Sequence, residues 1–87
     1  MEASLQKLKV ARSLDARGIA SPDAYRKASE QLSAMKEHEV LELHINEGEA
    51  LDAIPFALRA EGHEIVVSEL ARDGVRLLVR KRAPIAT

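Results

Sequence analysis

The alternation of apolar and polar residues from position 40 to position 45 most constrains what this chain can fold into. Leu41, Leu43 and Ile45 lie on one face of an extended segment, and Glu42 and His44 lie on the other. A strand of this kind belongs to a sheet with one buried and one wet face. Comparable β-rich patterns predict further strands at roughly residues 7–14, 63–70 and 75–80.

A segment with the apolar spacing of a helix separates the first two predicted strands. Its apolar positions, spaced by three or four residues as on one buried helix face, are Tyr25, Ala28, Leu32 and Met35. The sequence Ser21-Pro22-Asp23 predicts the start of this helix. We expect Ser21 to be the N-cap, Pro22 to take the first helical position and Asp23 to face the positive end of the helix dipole. The helix is expected to end near Met35.

A second helix is predicted over roughly residues 50–61. Its inward positions are expected to be Leu51, Ile54 and Leu58, with Phe56 as a further core position. Pro55 lies inside this segment, where proline disrupts a helix, so the sequence predicts either a start near Ala53 or an irregular first turn. Gly62 suits the left-handed residue that commonly ends a helix.

The predicted elements follow the order strand, helix, strand, helix, strand, strand, with a hairpin turn at Arg72-Asp73-Gly74. Right-handed crossovers place both helices on the same face of one sheet. The predicted fold class is therefore α/β (α+β), a two-layer sandwich of a four-stranded mixed sheet with two helices on one face. We expect a single domain over residues 1–87, in which residues 8–82 form the fold and residues 83–87 a loose tail.

The charges are unevenly distributed although the net charge is only -1. Positions 37 to 52 contain six acidic residues and no Lys or Arg. Positions 72 to 82 contain five basic residues and one acidic residue, Asp73. These runs are typical of solvated faces, and they are also consistent with a dipolar surface that orients a protein partner. The sequence has no cysteine, no apolar run long enough for a membrane span and no leader-like start, so a cytoplasmic location is expected.

Several motifs resemble those of the TusA-like (SirA-like) sulfur-carrier family. Asp15-Ala16-Arg17-Gly18 followed by Ser21-Pro22 is similar to the family's Asp-x-Arg-Gly and Cys-Pro-x-Pro motifs. Similar stretches continue downstream as Val40-Leu41-Glu42-Leu43, Ala53-Ile54-Pro55-Phe56, Gly62-His63-Glu64-Ile65, Asp73-Gly74 and Leu77-Leu78-Val79-Arg80-Lys81. The resemblance covers roughly residues 8–82 and implies the same order of elements.

The departures from the family pattern cluster where its chemistry takes place. Ser21 stands for the sulfur-accepting cysteine, Ala24 for the second proline of Cys-Pro-x-Pro, Ala20 for a commonly basic residue and Ala53 for an aspartate. The resemblance therefore implies a degenerate carrier site at Ser21 and Pro22 that lacks its nucleophile. No catalytic residue, no enzymatic activity and no cofactor is expected.

A binding role for this region stays open. The free N–H groups of a helix N-terminus bind anions, and a nearby arginine adds a fork of donors. Arg17, Gly18, Ser21 and Asp23 are therefore candidate binding residues for a small anion. The alternative interpretation of Ser21 is a helix cap without chemistry.

Metal binding and nucleic-acid binding have weaker support. His38, His44 and His63 lack the spacing of a metal site, and His63 is expected to make a structural hydrogen bond. The basic residues Arg72, Arg76, Arg80, Lys81 and Arg82 lack aromatic neighbours on which RNA bases stack. We therefore expect no metal, no membrane and no nucleic acid, but a protein partner.

Three functions remain as hypotheses. The first is a domain with the sulfur-carrier fold that has lost the cysteine and binds a protein partner, in a sulfur-transfer or redox pathway. The second is a genuine sulfur-relay protein in which serine was substituted for the cysteine. The third is an RNA-binding module.

Overall fold

A computed structural model of the chain describes residues 9–82. The elements along this part of the chain are β1 (Val10–Asp15), α1 (Ser21–Ser33), β2 (Val40–Ile45), α2 (Glu49–Ala60), β3 (Glu64–Ala71) and β4 (Gly74–Arg80). Their order confirms the predicted one. The first residues of the predicted strand at 7–14 and the predicted tail at 83–87 lie outside the described residues.

The four strands form one mixed sheet in the order β1-β2-β4-β3. β1 pairs with β2 in parallel, whereas β4 is antiparallel to both β2 and β3. Parallel pairing of β1 and β2 requires a crossover between them, and α1 supplies it. The second crossover, α2, leads from β2 past β4 to the edge strand β3. The predicted mixed sheet is therefore confirmed.

One apolar layer lies between the sheet and the two helices. The residues of this layer with no exposed surface are Ala24, Ala28, Leu32, Leu41, Leu43, Ile45, Ile54, Leu58, Leu77 and Val79. In β2 the residues of this layer alternate with Glu42 and His44, which face away from the helices, as the sequence predicted. In β4 they alternate with Arg76, Leu78 and Arg80, of which Leu78 is apolar and only 6% exposed. Both helices contribute to the same cluster, which confirms that they cover the same face of the sheet.

The second helix differs from its prediction in two respects. It begins at Glu49 and runs through Pro55 to Ala60, so neither a start near Ala53 nor an irregular first turn is observed. Pro55 has no N–H to donate to the carbonyl of Leu51, and its own burial in the apolar layer offsets part of that loss.

The expectation that Phe56 lies in the core is wrong. Its side chain is 74% exposed, among the most exposed large apolar residues of the described chain. Phe56 follows the fully buried Ile54 by two residues, which turns it about 200° around the helix and away from the sheet. The first helix also ends at Ser33, slightly before the predicted Met35, although Met35 remains buried.

Gly74 fixes the hairpin between β3 and β4. The turn residues are Arg72 and Asp73, and Gly74 begins β4 with φ +151°. A Cβ atom at this position would overlap with the carbonyl oxygen of Ile45 on the neighbouring strand β2. The close approach of two backbones therefore requires glycine here.

We predict that Gly74→Ala destabilises the protein by about 3 kcal/mol or more, because backbone strain adds to a clash with a backbone oxygen. The matched control is Gly62→Ala, where φ is +97° but no atom lies within 4 Å of the added Cβ. That variant is expected to lose only about 1 kcal/mol. Urea unfolding measures both free energies, and equal losses would contradict the proposed backbone contact.

Candidate functional site

The residues that resemble the carrier motif lie at one end of the sandwich. Because β1 and β2 are parallel, both following helices begin at the end where these strands finish. The β3–β4 turn lies at the same end, since Ile45 at the finish of β2 pairs with Val75 just after the turn. We call residues 15–23, 45–49 and 71–74 the site end.

The structure corrects the predicted cap of the first helix. The helix begins at Ser21 itself, and Ala20 is the N-cap, with its carbonyl accepting a 2.9 Å bond from the N–H of Ala24. Within residues 9–82, no side chain caps the free N–H groups of this helix. Ser21 and Pro22 thus occupy the first turn, where a proline is tolerated because its missing N–H would have no helical partner.

Arg17 is held by Asp15 and not aimed at the start of α1. Its Nε and Nη2 donate to the two carboxylate oxygens of Asp15 at 2.8 and 2.7 Å, and its backbone N–H donates to Oδ1 at 3.1 Å. These bonds keep the pKa of Asp15 well below the ordinary range of an aspartate and raise the pKa of Arg17. The Arg17 stem lies near Gly74, because a Cβ atom added there would be 3.4 Å from Cδ of Arg17, so the β1–α1 loop and the hairpin are neighbours.

The other predicted binding residues lie nearby without converging on one point. Gly18 adopts φ +81° in the loop before α1, where left-handed backbone favours glycine. Asp23 pairs with Arg26 one turn further along the helix, at 3.1 Å. Ser21 is half-buried at the start of α1. Loop and helix therefore bring the four residues to one end, but the charges of Arg17 and Asp23 are already paired.

The sheet face opposite the helices carries a chain of polar contacts that the sequence analysis did not predict. Ser13 donates to Glu42 at 3.1 Å, Glu42 accepts from Arg76 at 2.6 Å, and Arg76 donates to Glu69 at 2.7 Å. These four residues belong to β1, β2, β4 and β3, so the chain crosses the whole sheet. Arg76 is the main cause of the lowered pKa of Glu42, and Glu42 of the raised pKa of Arg76.

A signal for this chain of contacts existed in the sequence. Glu42 and Arg76 each occupy a polar position of an alternating segment, Glu69 is a charged residue of the third predicted strand, and opposite charges on neighbouring strands attract. The sequence pattern does not specify the order of the strands in the sheet. Only the arrangement of β4 between β2 and β3 places the arginine between two glutamates.

The predicted basic patch is largely neutralised. Arg80 and Arg82 share the carboxylate of Glu64 at 2.8 and 3.1 Å, and Lys81 donates to the carbonyl oxygen of Leu32. Arg80 is also the main cause of the lowered pKa of Glu64. The two aromatic residues of the chain lie on the helices, not on the open sheet. The surface therefore lacks both features by which sheets bind single-stranded RNA.

The histidines do not form a metal site in the described part of the chain, where no group of potential ligands converges. His38 is in an exposed turn with φ +75°, and His44 lies on the open sheet face. The side chain of His63 is only 9% exposed, and burial is the main cause of its lowered pKa. Its Nδ1 accepts the backbone N–H of Arg82 at 3.3 Å, which confirms the predicted structural hydrogen bond.

Comparison with known families adds an independent finding. A family model described as Sulfurtransferase TusA matches residues 12–81, which include most of β1, the other three strands, both helices and the site end. None of the curated proteins compared with the chain matches it. No helix in residues 9–82 has the length and apolar character needed to cross a membrane.

The corrected helix start predicts a specific order of substitution effects at position 21. At an N-cap, alanine costs more than glycine, whereas inside the first turn alanine is the better helix former. We therefore expect Ser21→Ala to cost less than about 0.5 kcal/mol and Ser21→Gly to cost more than Ser21→Ala. Chemical denaturation compares the two variants. The opposite order would show that Ser21 caps the helix.

The Asp15–Arg17 pair predicts a titration. The pKa of Asp15 in the folded protein lies below its unfolded value of about 4, so the ion pair stabilises the fold at neutral pH. This stabilisation is lost as the pH falls below about 4 and through the folded pKa, where the carboxylate becomes protonated. We expect carboxyl ¹³C NMR of Asp15 to show this low pKa, and Arg17→Gln to raise it. Arg26→Gln is the control, since Arg26 pairs with Asp23 instead. An unchanged titration in Arg17→Gln would contradict the assignment of the cause.

Proposed function

The chain belongs to the TusA sulfurtransferase family, and we propose that it acts there as a partner-binding domain that carries no sulfur. The observation that supports this most directly is Ser21. It stands where the family resemblance places the sulfur-accepting cysteine, on a fold that is otherwise retained. Retention of the scaffold together with loss of the nucleophile points to a function that needs the surface and not the thiol.

The chemistry of position 21 supports this proposal. Carriage of a persulfide requires a thiolate, whose pKa is lowered at a helix N-terminus by free N–H groups and the helix dipole. A serine hydroxyl remains protonated near neutral pH unless a base is adjacent. Asp23, the nearest carboxylate on α1, is paired with Arg26. In the described residues, nothing around Ser21 provides the base and nucleophile pair that covalent catalysis needs.

The rigid construction of the site end favours protein docking there. Ala16 is buried and its N–H donates to the carbonyl of His44 at 2.8 Å, which anchors the β1–α1 loop to β2. The Asp15–Arg17 pair fixes the other side of the same loop. A loop that is already ordered loses little entropy on association, so it is suited to recognition. We infer a partner from sulfur-transfer or redox pathways and a cytoplasmic location.

The other hypotheses have less structural support. An anion at the start of α1 would have few donors, because Pro22 lacks an N–H and Arg17 is engaged by Asp15. RNA binding is opposed by the paired charges of the open sheet face. A sulfur-relay protein in which serine was substituted for cysteine would have the same fold as the proposed partner-binding domain, so a chemical test must distinguish the two hypotheses.

We predict that the chain gains no mass on incubation with a cysteine desulfurase and cysteine, because it has no thiol. Intact-mass spectrometry under non-reducing conditions measures this. The matched control is Ser21→Cys, which supplies the thiol at the same position and is expected to gain the mass of one sulfur atom. A stable gain on the unsubstituted chain would refute the proposal that it carries no sulfur.

Docking is tested by competition. We expect an excess of this chain to slow the loading of sulfur from a desulfurase onto a TusA-family carrier that retains Cys-Pro-x-Pro. Asp23→Lys at the site end should abolish the inhibition, whereas Glu37→Lys should preserve it. Both replaced residues are exposed, and Glu37 lies at the opposite end, between α1 and β2. Equal behaviour of the two variants, or no inhibition at all, would contradict docking through the site end.

A further inference from the structure

A groove at the end of the sandwich opposite the site end has no role in the proposed function. It is about 310 Å³ in volume and lies where α2 ends and β3 begins. Its lining residues are Arg59, Gly62, His63, Glu64, Ile65 and Arg82. We call it the Arg59 groove.

Positive charge exceeds negative charge around the Arg59 groove. The carboxylate of Glu64 is shared by two guanidinium groups, those of Arg80 at 2.8 Å and Arg82 at 3.1 Å. Arg59 makes no ion pair within residues 9–82. The groove lining thus carries two guanidinium groups, those of Arg59 and Arg82, and one carboxylate, that of Glu64, and the remaining positive charge makes the groove attractive to an anion.

The nearby carboxylate of Glu61 does not cancel this excess. Its Oε1 lies 3.4 Å from the hydroxyl of Ser29 on α1 and 3.5 Å from Nε2 of His63, so it is directed toward α1. Arg59 lies on a different side of the helix, since the two residues are separated by about 200° of rotation. Glu61 is also not among the residues that line the groove.

The C-terminus of α2 opposes an anion only weakly. The carbonyls of Ala57, Leu58 and Arg59 already accept bonds from the N–H groups of the turn at residues 61–63. The helix dipole amounts to about half a charge, which is smaller than the excess of guanidinium groups. Nδ1 of the neighbouring His63 accepts the backbone N–H of Arg82, so the residue that carries one of the guanidinium groups is anchored at its backbone.

We propose that the Arg59 groove binds a small tetrahedral oxyanion of the phosphate or thiosulfate class through the guanidinium groups of Arg59 and Arg82. Planar guanidinium groups donate paired hydrogen bonds to such oxyanions. Arg82 has donors left beyond the Nη1 bond to Glu64, and all the donors of the Arg59 side chain are available within the described structure. The site is independent of position 21 and of sulfur carriage.

The test is titration of the ¹⁵N-labelled chain with inorganic phosphate and, separately, with thiosulfate, at constant ionic strength kept with sodium chloride. We expect saturable shifts of the amide signals of Gly62, His63, Glu64 and Ile65. Arg59→Gln and Arg82→Gln should each weaken the affinity by about tenfold, the usual effect of a lost charge-assisted bond. Arg72→Gln is the matched control, because Arg72 is an exposed arginine at the opposite end of the molecule, and should leave the affinity unchanged.

Three results would overturn the proposal. One is a non-saturating response that sodium chloride alone reproduces. Another is an equal loss of affinity in Arg59→Gln and Arg72→Gln, which would show a general charge effect. The third is binding of acetate as tight as that of phosphate and thiosulfate, which would show a carboxylate site and not one for tetrahedral oxyanions. Binding of only one of the two oxyanions, with the predicted loss in Arg59→Gln, supports the site and identifies its ligand.

Discussion

Burial of a single apolar layer between the sheet and the two helices is the constraint on which the rest of this structure depends. A chain of this size buries only about 60% of the surface of its unfolded state, so it has little stability to spare. The central strands β2 and β4 supply most of the sheet side of that layer, and α1 and α2 cover it. A shift of β2 by one residue would turn Leu43 to the open face and Glu42 into the layer, and the side-chain pattern therefore fixes the register.

The elements with a regular spacing of apolar residues were predictable from the sequence, and the predictions that were wrong have local causes. The bounds of β2 follow from its apolar alternation, and the shared face of both helices follows from the right-handedness of the crossovers. The sequence Ser21-Pro22-Asp23 is compatible with two starts one residue apart, because serine is common at an N-cap and proline is tolerated throughout the first turn. The start observed, with Ala20 as N-cap, depends on how α1 packs, which a local motif does not contain.

Pro55 and Phe56 illustrate the limit of single-residue rules. Proline in a helix costs about 3 kcal/mol in isolation, yet Pro55 is buried within α2, where packing offsets local propensity. The expectation of a core position for Phe56 neglects its angular position between Ile54 and Leu58, which already places it on the outer side of the helix. For the site, the loss of the thiol was evident from the sequence. The engagement of Arg17 by Asp15 depends on loop geometry that the motif alone does not specify.

The positions of Ser21 and of the contacts at the site end explain how a chain without a thiol keeps the family fold. Ser21 lies at the rim of the sandwich, half-buried and outside the apolar cluster, so exchange of sulfur for oxygen there leaves the core packing unchanged. The features that hold the site end in place are backbone features and one ion pair: the Gly74 contact with Ile45, the Ala16 bond to His44 and the Asp15–Arg17 pair. None of them involves the residue at position 21. The fold of this architecture therefore does not depend on a thiol at position 21, because the contacts that order the site end are made by other residues.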